Sequence, residues 1–265
     1  MYRGEFKKEE WLGNVSLDFN KEFGIHKVSA GVSSEYRKLR KTAFWVYAKG
    51  IPTNDFHYDN LGATAARPYG GTESTYEDQS LASVMGSITY NLLDRYTLAV
   101  NARSDGSSMV GDNNTWGFFP SVSFTWDMKK ESFLANIKPL SMLKLRTGLG
   151  QAGNLGGITA YTTMNTVRQT GIVPVNSSPT VTLGMVRNNN PDLKWETKTT
   201  FNLGADIGLF ANRLMLTAEY YYSKTTDMLY AYEVPVPPFA YNTLLANIGS
   251  MSNRGFELGL SVQPI

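Results

Sequence analysis

Hydrophobic and polar side chains alternate with a period of two along most of the chain. The clearest run covers residues 195–207, where Phe201, Leu203 and Ala205 fall on one face and Lys198 falls on the other. Successive side chains of a β-strand point to opposite faces of the sheet, so this period predicts strands. About nine such runs occur, at residues 12–19, 25–36, 81–90, 95–103, 119–126, 143–149, 195–207, 214–222 and 255–262. The chain is therefore predicted to be all-β.

Shorter and longer connections alternate between these predicted strands. The shorter connections are residues 20–24, 92–94, 127–142 and 209–212, and the longer ones are residues 37–80, 104–118, 151–194 and 223–254. Tight turns at one end and long loops at the other are typical of outer-membrane β-barrels, and compact soluble domains rarely contain such long irregular loops. Because single-chain bacterial barrels normally have an even number of strands, nine strands indicate part of a larger cylinder.

The composition favours an envelope β-protein and excludes several other classes. Charged residues make up 18% of the chain and aromatic residues 12%, with 15 Tyr against 13 Phe and 5 Trp. The absence of Cys excludes disulfide scaffolds, cysteine metal sites and thiol catalysis, and the net charge of +2 is too small to indicate nucleic-acid binding. No apolar stretch is long enough for a transmembrane helix, and the first residues, MYRGEFKKEEWLGN, lack the apolar segment of a signal peptide.

One motif resembles a nucleotide site. Residues 148–153 match G-x-G-x-x-G after a predicted strand, which is how the dinucleotide fingerprint begins. That fingerprint needs a helix whose N-terminus holds the pyrophosphate, whereas the following residues, NLGGITAYTT, are not helical. The glycines are instead expected to let the strand bend before it enters a loop.

Catalytic and metal motifs are equally weak. The two histidines, His26 and His57, are interpreted as surface residues, although Asp55 lies near His57 in sequence, because no G-x-S-x-G nucleophile motif is present. Residues 112–114, Asp-Asn-Asn, lack the spacing of a calcium loop and are expected to form a turn. The protein is therefore predicted not to be an enzyme, and no catalytic, cofactor-binding or metal-binding residue is assigned.

Six segments form an ordered series of motifs along the chain. They are DRYTLAVNARSDGSS (94–108), NTWGFFPSVSFTW (114–126), LKLRTGLGQAGN (143–154), NPDLKWETKTTFNLGADIGLF (190–210), RLMLTAEYYYSKTTDMLY (213–230) and NIGSMSNRGFELGL (247–260). The series resembles the SusC/RagA-type TonB-dependent outer-membrane transporters of Bacteroidetes. Any one of these segments is a weak signal, whereas their order along the chain is a strong one.

The resemblance implies a barrel of about 22 strands with an N-terminal plug and a TonB-contacting segment. Residues 1–265 are then expected to be part of the barrel domain, truncated at both ends, with the plug and the export signal lying upstream. The complete protein is expected to import an oligosaccharide or a peptide across the outer membrane. Its expected partners are outer-membrane lipid, a SusD-like lipoprotein and the TonB–ExbB–ExbD machinery, which acts through the plug.

Two groups of side chains are candidates for contact with a solute or a plug. The polar strand faces carry charges of both signs, at Asp18, Glu35, Arg103, Lys144, Arg146, Glu196, Lys198, Asp206, Glu219 and Glu257. Lining a lumen and contacting a plug is the favoured role for these charges, ahead of substrate contact. The predicted loops carry aromatic residues, at Phe56, Tyr58, Tyr69, Tyr76, Trp116, Tyr161, Tyr230, Tyr232 and Tyr241. These rings are suited to stacking on sugars, to packing the loops or to aromatic girdles at the membrane interfaces, so substrate-binding residues stay unassigned.

A secreted or surface β-sandwich that binds carbohydrate is the alternative. Its strands would also alternate, but it would bury its apolar faces in a closed core and fold in buffer without detergent. Part of a barrel would aggregate in buffer instead, because its edge strands are unpaired.

Overall fold

The computed structural model describes residues 2–50, 52, 53, 55, 57, 59–66 and 71–263. The strands are β1 (Tyr2–Phe23), β2 (His26–Tyr47), β3 (Thr72–Leu92), β4 (Tyr96–Ser107), β5 (Trp116–Asp127), β6 (Leu140–Asn154), β7 (Val167–Val175), β8 (Ser178–Met185), β9 (Glu196–Leu209), β10 (Leu214–Glu233) and β11 (Thr243–Val262). One short helix, α1 (Ser132–Ala135), lies between β5 and β6. No helix in this described part of the chain is long and apolar enough to cross a membrane.

Nine strands form one sheet in the order β1-β2-β3-β4-β5-β6-β9-β10-β11, and β7 pairs with β8 in a separate hairpin. Neighbours in the large sheet follow one another in sequence, apart from the inserted hairpin, so the sheet is a meander with β1 and β11 at its edges. The prediction of about nine long strands is confirmed.

The chain divides into two compact units. The first comprises Met1–Gly13 and Tyr36–Leu81, and the second comprises Asn14–Glu35 and Ala82–Ile265. In the first unit, ion pairs join neighbouring strands, including Arg37 to Glu10 at 2.6 Å and Lys41 to Glu77 at 3.2 Å. All the sites described below belong to the second unit unless the first is named.

In the second unit, apolar side chains lie opposite one another across neighbouring strands. The facing pairs on this apolar face are Leu98–Phe124, Val100–Val122, Val122–Leu149, Leu149–Phe201, Leu203–Tyr220, Tyr220–Phe256 and Leu216–Leu260. These side chains are largely exposed, reaching 68% for Leu260. The buried hydrophobic side chains of the described residues are few, namely Ala48, Val110, Phe119, Ile158, Ala160, Leu193 and Trp195. Within the part of the chain that the structure describes, no second layer of protein therefore covers the apolar face.

The length of the apolar face on β5 matches the thickness of membrane hydrocarbon. Trp116 and Trp126 are the first and penultimate residues of β5, and both belong to the alternating set that contains Val122 and Phe124. At about 3.3 Å per residue and a tilt of about 40°, the two indole rings are about 25 Å apart along the membrane normal. Aromatic girdles of outer-membrane barrels flank an apolar band of that height.

The strands are longer and the loops more regular than the sequence predicts. β2 continues to Tyr47, β3 begins at Thr72 and β10 continues to Glu233, so the expected loops 37–80 and 223–254 are largely strand. The expected loop 151–194 contains the β7–β8 hairpin, which the sequence analysis missed. Both faces of these extensions are polar or mixed, so the alternation that marks a strand between lipid and water is lost there.

The shorter connections lie at one end of the second unit, called the turn end. They are tight turns from β1 to β2, β3 to β4 and β9 to β10, and a longer segment with α1 from β5 to β6. Leu93 and Asp94 both have positive φ, at 59° and 54°, which is the backbone of a type I′ hairpin turn. Neighbouring turns are joined by backbone hydrogen bonds, such as Leu93 N–H to the Ile25 carbonyl at 2.8 Å. The opposite end, called the loop end, carries the connections 108–115, 155–195 and 234–242.

Candidate functional site

The polar face of the sheet carries an ion-pair network centred on Arg146. Its guanidinium donates to Asp206 at 2.7 Å and to Glu219 at 3.3 Å. Asp206 also accepts the Thr217 hydroxyl at 3.1 Å. Gly204 lies opposite both Arg146 and Glu219, and its missing side chain leaves room for the guanidinium, whose nitrogen lies 3.1 Å from a Cβ built there. The network therefore ties β6, β9 and β10 together on one face.

Replacing Arg146 by Met is expected to destabilise the sheet by about 1–2 kcal/mol. The substitution leaves the Asp206 and Glu219 carboxylates near each other without a cation, and the partial exposure of the network limits the effect. The free energy of unfolding would be measured from urea transitions of the receptor in detergent micelles. Lys198→Met is the matched control, because Lys198 lies on the same face of β9 and makes none of the contacts of this network. Equal losses from both substitutions would contradict the role assigned to Arg146.

Arg103 organises a second network on the polar face. Its Nε atom donates to both carboxylate oxygens of Asp105 at 2.7 Å, and one terminal nitrogen donates to Ser83 at 2.9 Å. The other terminal nitrogen lies 2.8 Å from the Met85 sulfur, which is a weak acceptor. Arg103, Asp105 and Met85 border a cavity of about 640 Å³ whose lining also includes Asp18 and Gln151.

The remaining polar-face candidates lie on the strands as predicted, and only some belong to a network. Glu196 accepts the Leu229 backbone N–H at 2.8 Å and the Asn154 amide at 2.7 Å. Lys144 lies opposite Asp206, and Glu257 lies opposite Glu219. Glu35, Lys198 and Asp18 are placed on β2, β9 and β1 respectively. The structure thus brings Arg146, Asp206 and Glu219 together, and the solute or plug contacts of the set stay a prediction.

Three asparagines, Asn188, Asn190 and Asn247, form an asparagine clamp at the loop end. Asn188 donates to the Tyr241 and Thr243 carbonyls at 2.6 and 2.9 Å and accepts the Tyr241 N–H at 3.1 Å. Asn190 donates to the Leu245 carbonyl at 2.8 Å. The clamp therefore fixes residues 188–194, the end of a long connection, against the start of β11.

Asn247 makes the densest contacts of the clamp. Its amide donates to the Lys194 and Asp227 carbonyls at 2.8 and 2.7 Å, and its oxygen accepts the Lys194 N–H at 3.0 Å. The Lys194 ammonium pairs with the Asp227 carboxylate at 2.8 Å. Asp227 has a φ of 57° at a break in the register between β10 and β11. The same contacts thus hold a bulged, left-handed residue in place.

The connection 108–115 packs on the other side of residues 188–195. Gly111 donates its N–H to the Leu193 carbonyl at 2.9 Å, and Asn114 donates to the Asp192 carbonyl at 3.0 Å. Leu193 is fully buried. A Cβ built on Gly111 would overlap the Pro191 carbonyl, so glycine is required there by close backbone approach.

The glycine motif at residues 148–153 is not a nucleotide site. All six residues lie within β6, between β5 and β9, and no helix begins at the motif. A Cβ built on Gly153 would overlap the Phe119 ring, which is buried and meets Trp195 edge-on with centroids 5.6 Å apart. The strand ends at Asn154, directly after the motif, and Gly153 makes room for the Phe119 ring. Bending of the strand at these glycines stays a prediction.

His26 and the acidic turn at residues 112–114 make hydrogen bonds within the second unit. His26 is half-buried, and its Nδ1 lies 2.7 Å from the Tyr90 hydroxyl. His57 belongs to the first unit and has a φ of 44°. Residues 112–114 form a turn of 3₁₀ helix, as expected for a turn, and Asn113 donates to Asp192 at 3.0 Å. Among the described residues, no group of three or more His, Asp or Glu side chains is arranged to hold a metal ion.

The loop aromatics do not share one environment. Trp116 lies against Gly106 and is 58% exposed, and Tyr230 is 62% exposed. Tyr76, in the first unit, donates its hydroxyl to Asp78 at 3.0 Å beneath the Arg40 guanidinium. Tyr161 and Tyr232 are half-buried and Tyr241 is 39% exposed, whereas Phe56, Tyr58 and Tyr69 lie outside the described residues. Solute contact by these rings stays a prediction.

Glu131 closes the longest connection at the turn end. Its carboxylate accepts the Tyr96 hydroxyl at 2.5 Å, the Trp126 indole N–H at 3.1 Å and an Arg95 N–H at 3.1 Å. Only 9% of the residue is exposed. The pKa of Glu131 lies below its ordinary value of 4.5, because the Tyr96 hydroxyl and the Trp126 indole donate hydrogen bonds to its carboxylate and the Arg95 charge lies nearby. Glu131 thereby joins β4 and β5 to the segment that contains α1.

Glu131→Gln is expected to lower the unfolding midpoint at neutral pH. Because the pKa of Glu131 is depressed in the folded state, its stabilising contribution is present above the unfolded pKa and is lost as pH falls through the folded pKa. The difference between wild type and variant should therefore shrink on acidification below about pH 4. Urea unfolding across this pH range tests the expectation, with Lys130→Gln on the same connection as the control. A pH-independent difference would count against it.

The residues that organise both ends of the sheet were not found from the sequence. Glu131 and the asparagine clamp act through backbone and aromatic partners that lie far along the chain, so they leave no periodic signal. Gly111 had a weak local signal, as a glycine within the SSMVGDNN turn. The quoted segment NPDLKWE does contain Pro191 and Lys194, whose backbone groups are central to the loop end.

The large sheet is a nine-stranded meander with one exposed apolar face and one polar face that carries paired charges. Its tight turns lie at one end and its long connections at the other. Together these features define the wall of a membrane β-barrel. Residues 2–263 match the family described as TonB dependent receptor-like, beta-barrel, and the chain belongs to that family. It is an outer-membrane protein. The predicted all-β class and the predicted partial barrel are confirmed.

Several known proteins are similar to this chain. The chain is 34% identical over 259 residues to TonB-dependent receptor P3 of Formosa agariphila, covering 96% of this chain and 25% of that receptor. It is 35% identical over 188 residues to TonB-dependent receptor SusC of Bacteroides thetaiotaomicron, covering 70% of this chain and 19% of that receptor. The solved structure of the RagAB peptide transporter superposes with a TM-score of 0.81 at 24% identity, covering 98% of this chain and 28% of that one.

The resemblance to SusC/RagA-type transporters is thus confirmed. The chain spans about a quarter of the length of the first two curated relatives it matches.

Proposed function

We propose that this chain forms part of the wall of an importer that carries oligosaccharides or peptides across the outer membrane. The observation that carries the proposal is the division of the sheet into an exposed apolar face and a polar face on which Arg146, Asp206 and Glu219 form ion pairs. Charges of both signs that neutralise one another suit a lumen wall that faces water or a plug. The role is transport rather than catalysis, and no residue is assigned a catalytic function.

The proposed partners follow from the family and from the similar proteins. The names of P3 and SusC include TonB dependence, which supports energy supply by TonB–ExbB–ExbD through a plug. The RagAB peptide transporter supports peptides as one proposed cargo class. Oligosaccharides as the other class, and a SusD-like lipoprotein as a lid, are proposed from the resemblance to SusC/RagA-type transporters. The fixed loop end, with its asparagine clamp, would offer such a lipoprotein a rigid rim.

Uptake by the complete receptor tests the proposal. Cells that express the receptor containing this chain would be supplied with fluorescent peptides and fluorescent oligosaccharides, in the presence and absence of TonB. Accumulation of one class that requires both the receptor and TonB is the expected result. Accumulation without TonB, or no receptor-dependent accumulation of either class, would refute it.

The sandwich alternative lacks its second sheet. In the described residues the only other sheet is the two-stranded β7–β8 hairpin, while the apolar face of the large sheet is exposed. The 265-residue chain, expressed alone, should therefore precipitate from buffer and dissolve only in detergent. A monodisperse, folded chain in buffer would favour the sandwich.

A further inference from the structure

A groove lies on the apolar face of the sheet, on the side away from the ion-pair networks. It is an open groove with a volume of about 480 Å³. Its lining comes from β1, β2, β3 and β4. Ala30, Gly86 and Ala102 form its floor, on three successive strands of the sheet. Larger side chains, including Phe19, Ile88 and Val100, form its walls.

The groove exists because small residues occupy positions where the rest of the apolar face carries large ones. A Cβ built on Gly86 meets no atom within 4 Å, so this strand position opens directly into the groove. Glycine within a strand is unfavourable for stability and commonly marks a place where another molecule approaches closely. No charged side chain lines the groove. Its chemistry therefore suits a hydrocarbon chain and not a headgroup.

The depth of the groove can be placed from the strand ends. Phe19 is four residues from the end of β1 at Phe23, and Ala102 is six residues from the start of β4 at Tyr96. Ile88 lies at a similar distance from the turn end on β3. With about 3.3 Å per residue and a tilt of about 40°, the groove lies about 10–15 Å from the turn end, near the middle of an apolar band of about 25 Å.

We propose that this groove binds one acyl chain of a glycerophospholipid from the leaflet at the turn end. The short turns of outer-membrane barrels lie on the periplasmic side, where the leaflet consists of glycerophospholipids and not of lipid A. In a bilayer, apolar protein surface gains nothing by leaving water, so tight van der Waals packing decides which lipid chains stay bound. An acyl chain in the groove contacts protein atoms on both sides and beneath it. When the groove is empty, these van der Waals contacts are lost. The inference rests on the outer-membrane location and not on the cargo.

Filling the groove tests the proposal. The complete receptor would be purified in mild detergent, and dioleoyl phosphatidylethanolamine would be titrated in while native mass spectrometry records the bound lipid. Gly86→Leu is expected to weaken retention of the most tightly bound lipid about tenfold, as loss of roughly ten carbon contacts implies. Gly13→Leu is the matched control, because Gly13 is also an exposed strand glycine whose added Cβ meets no atom within 4 Å. It should retain the lipid as wild type does.

Further measurements separate the outcomes. Heat-modifiable electrophoretic mobility confirms that each variant is folded, and Ala102→Leu, which fills the same floor from β4, should reproduce the loss. Equal retention by Gly86→Leu and Gly13→Leu overturns the proposal, as does wild-type receptor that retains no phospholipid or retains lipid A instead. TonB-dependent uptake is measured in a separate experiment. Lipid retention can therefore be interpreted even if the proposed transport function is refuted.

Discussion

Gly111→Ala should destabilise the loop end by roughly 3 kcal/mol, because its new methyl group has no space. A Cβ on Gly111 would overlap the Pro191 carbonyl, which is backbone and cannot rotate away. The Asp192 carbonyl is held by Asn114 and the Leu193 carbonyl by Gly111 itself. The substitution must therefore separate the connection 108–115 from residues 188–195, with Leu193 losing its burial.

Two measurements check this result. Urea unfolding of the receptor in micelles gives the change in free energy, and limited proteolysis reports whether the connection 108–115 has become accessible. Gly259→Ala is the control, because a Cβ on Gly259 has only an ordinary contact, at 3.8 Å from the Thr217 Cβ. If Gly111→Ala behaves like Gly259→Ala, the close approach of the two backbone segments is not a constraint on this protein.

Asn247→Leu should lower the free energy of unfolding by about 2–4 kcal/mol, because it removes three hydrogen bonds while it keeps a side chain of similar size. The amide and carbonyl of Lys194 and the carbonyl of Asp227 lose their partner together. Asp227 sits in the left-handed region at a register break, so its conformation depends on such contacts. The Lys194–Asp227 ion pair should loosen as a consequence.

The free energy of unfolding and the amide exchange of residues 188–195 are the readouts. Asn253→Leu is the matched control, because Asn253 lies on the same strand with an exposed side chain. Faster exchange confined to residues 188–195 and 227–229 is the expected pattern for Asn247→Leu. Equal effects of the two substitutions would show that the asparagine clamp does not fix this segment.

The part of the fold that could be predicted is the part that faces lipid on one side and a polar phase on the other. β9 was located almost to its ends, since Phe201 and Leu203 alternate with Lys198 and Asn202 through the whole strand. β10 was predicted to stop at residue 222 but continues to Glu233. Beyond Tyr222 both faces carry polar residues, so the hydrophobic pattern carries no information about pairing there.

The charged sites were predicted as a set and not as networks. Arg146 and Asp206 were placed on polar faces of separate strands, and only the register between β6 and β9 brings them within 2.7 Å. A shift of one residue would move every side chain of a strand to the opposite face. Sequence alternation therefore assigns a face, whereas the pairing register assigns a partner.

The amino-acid sequence by itself determined the period-two strands, their apolar and polar faces and the alternation of short and long connections, because lipid and water act on each residue separately. Only the tertiary structure decided the asparagine clamp, the Glu131 contacts and the groove above Gly86, because each needs residues that are remote in sequence to meet at a definite register. Hydrogen bonds from side chains to backbone carbonyls depend on where the chain lies and not on the identity of the accepting residue, so no sequence pattern records them.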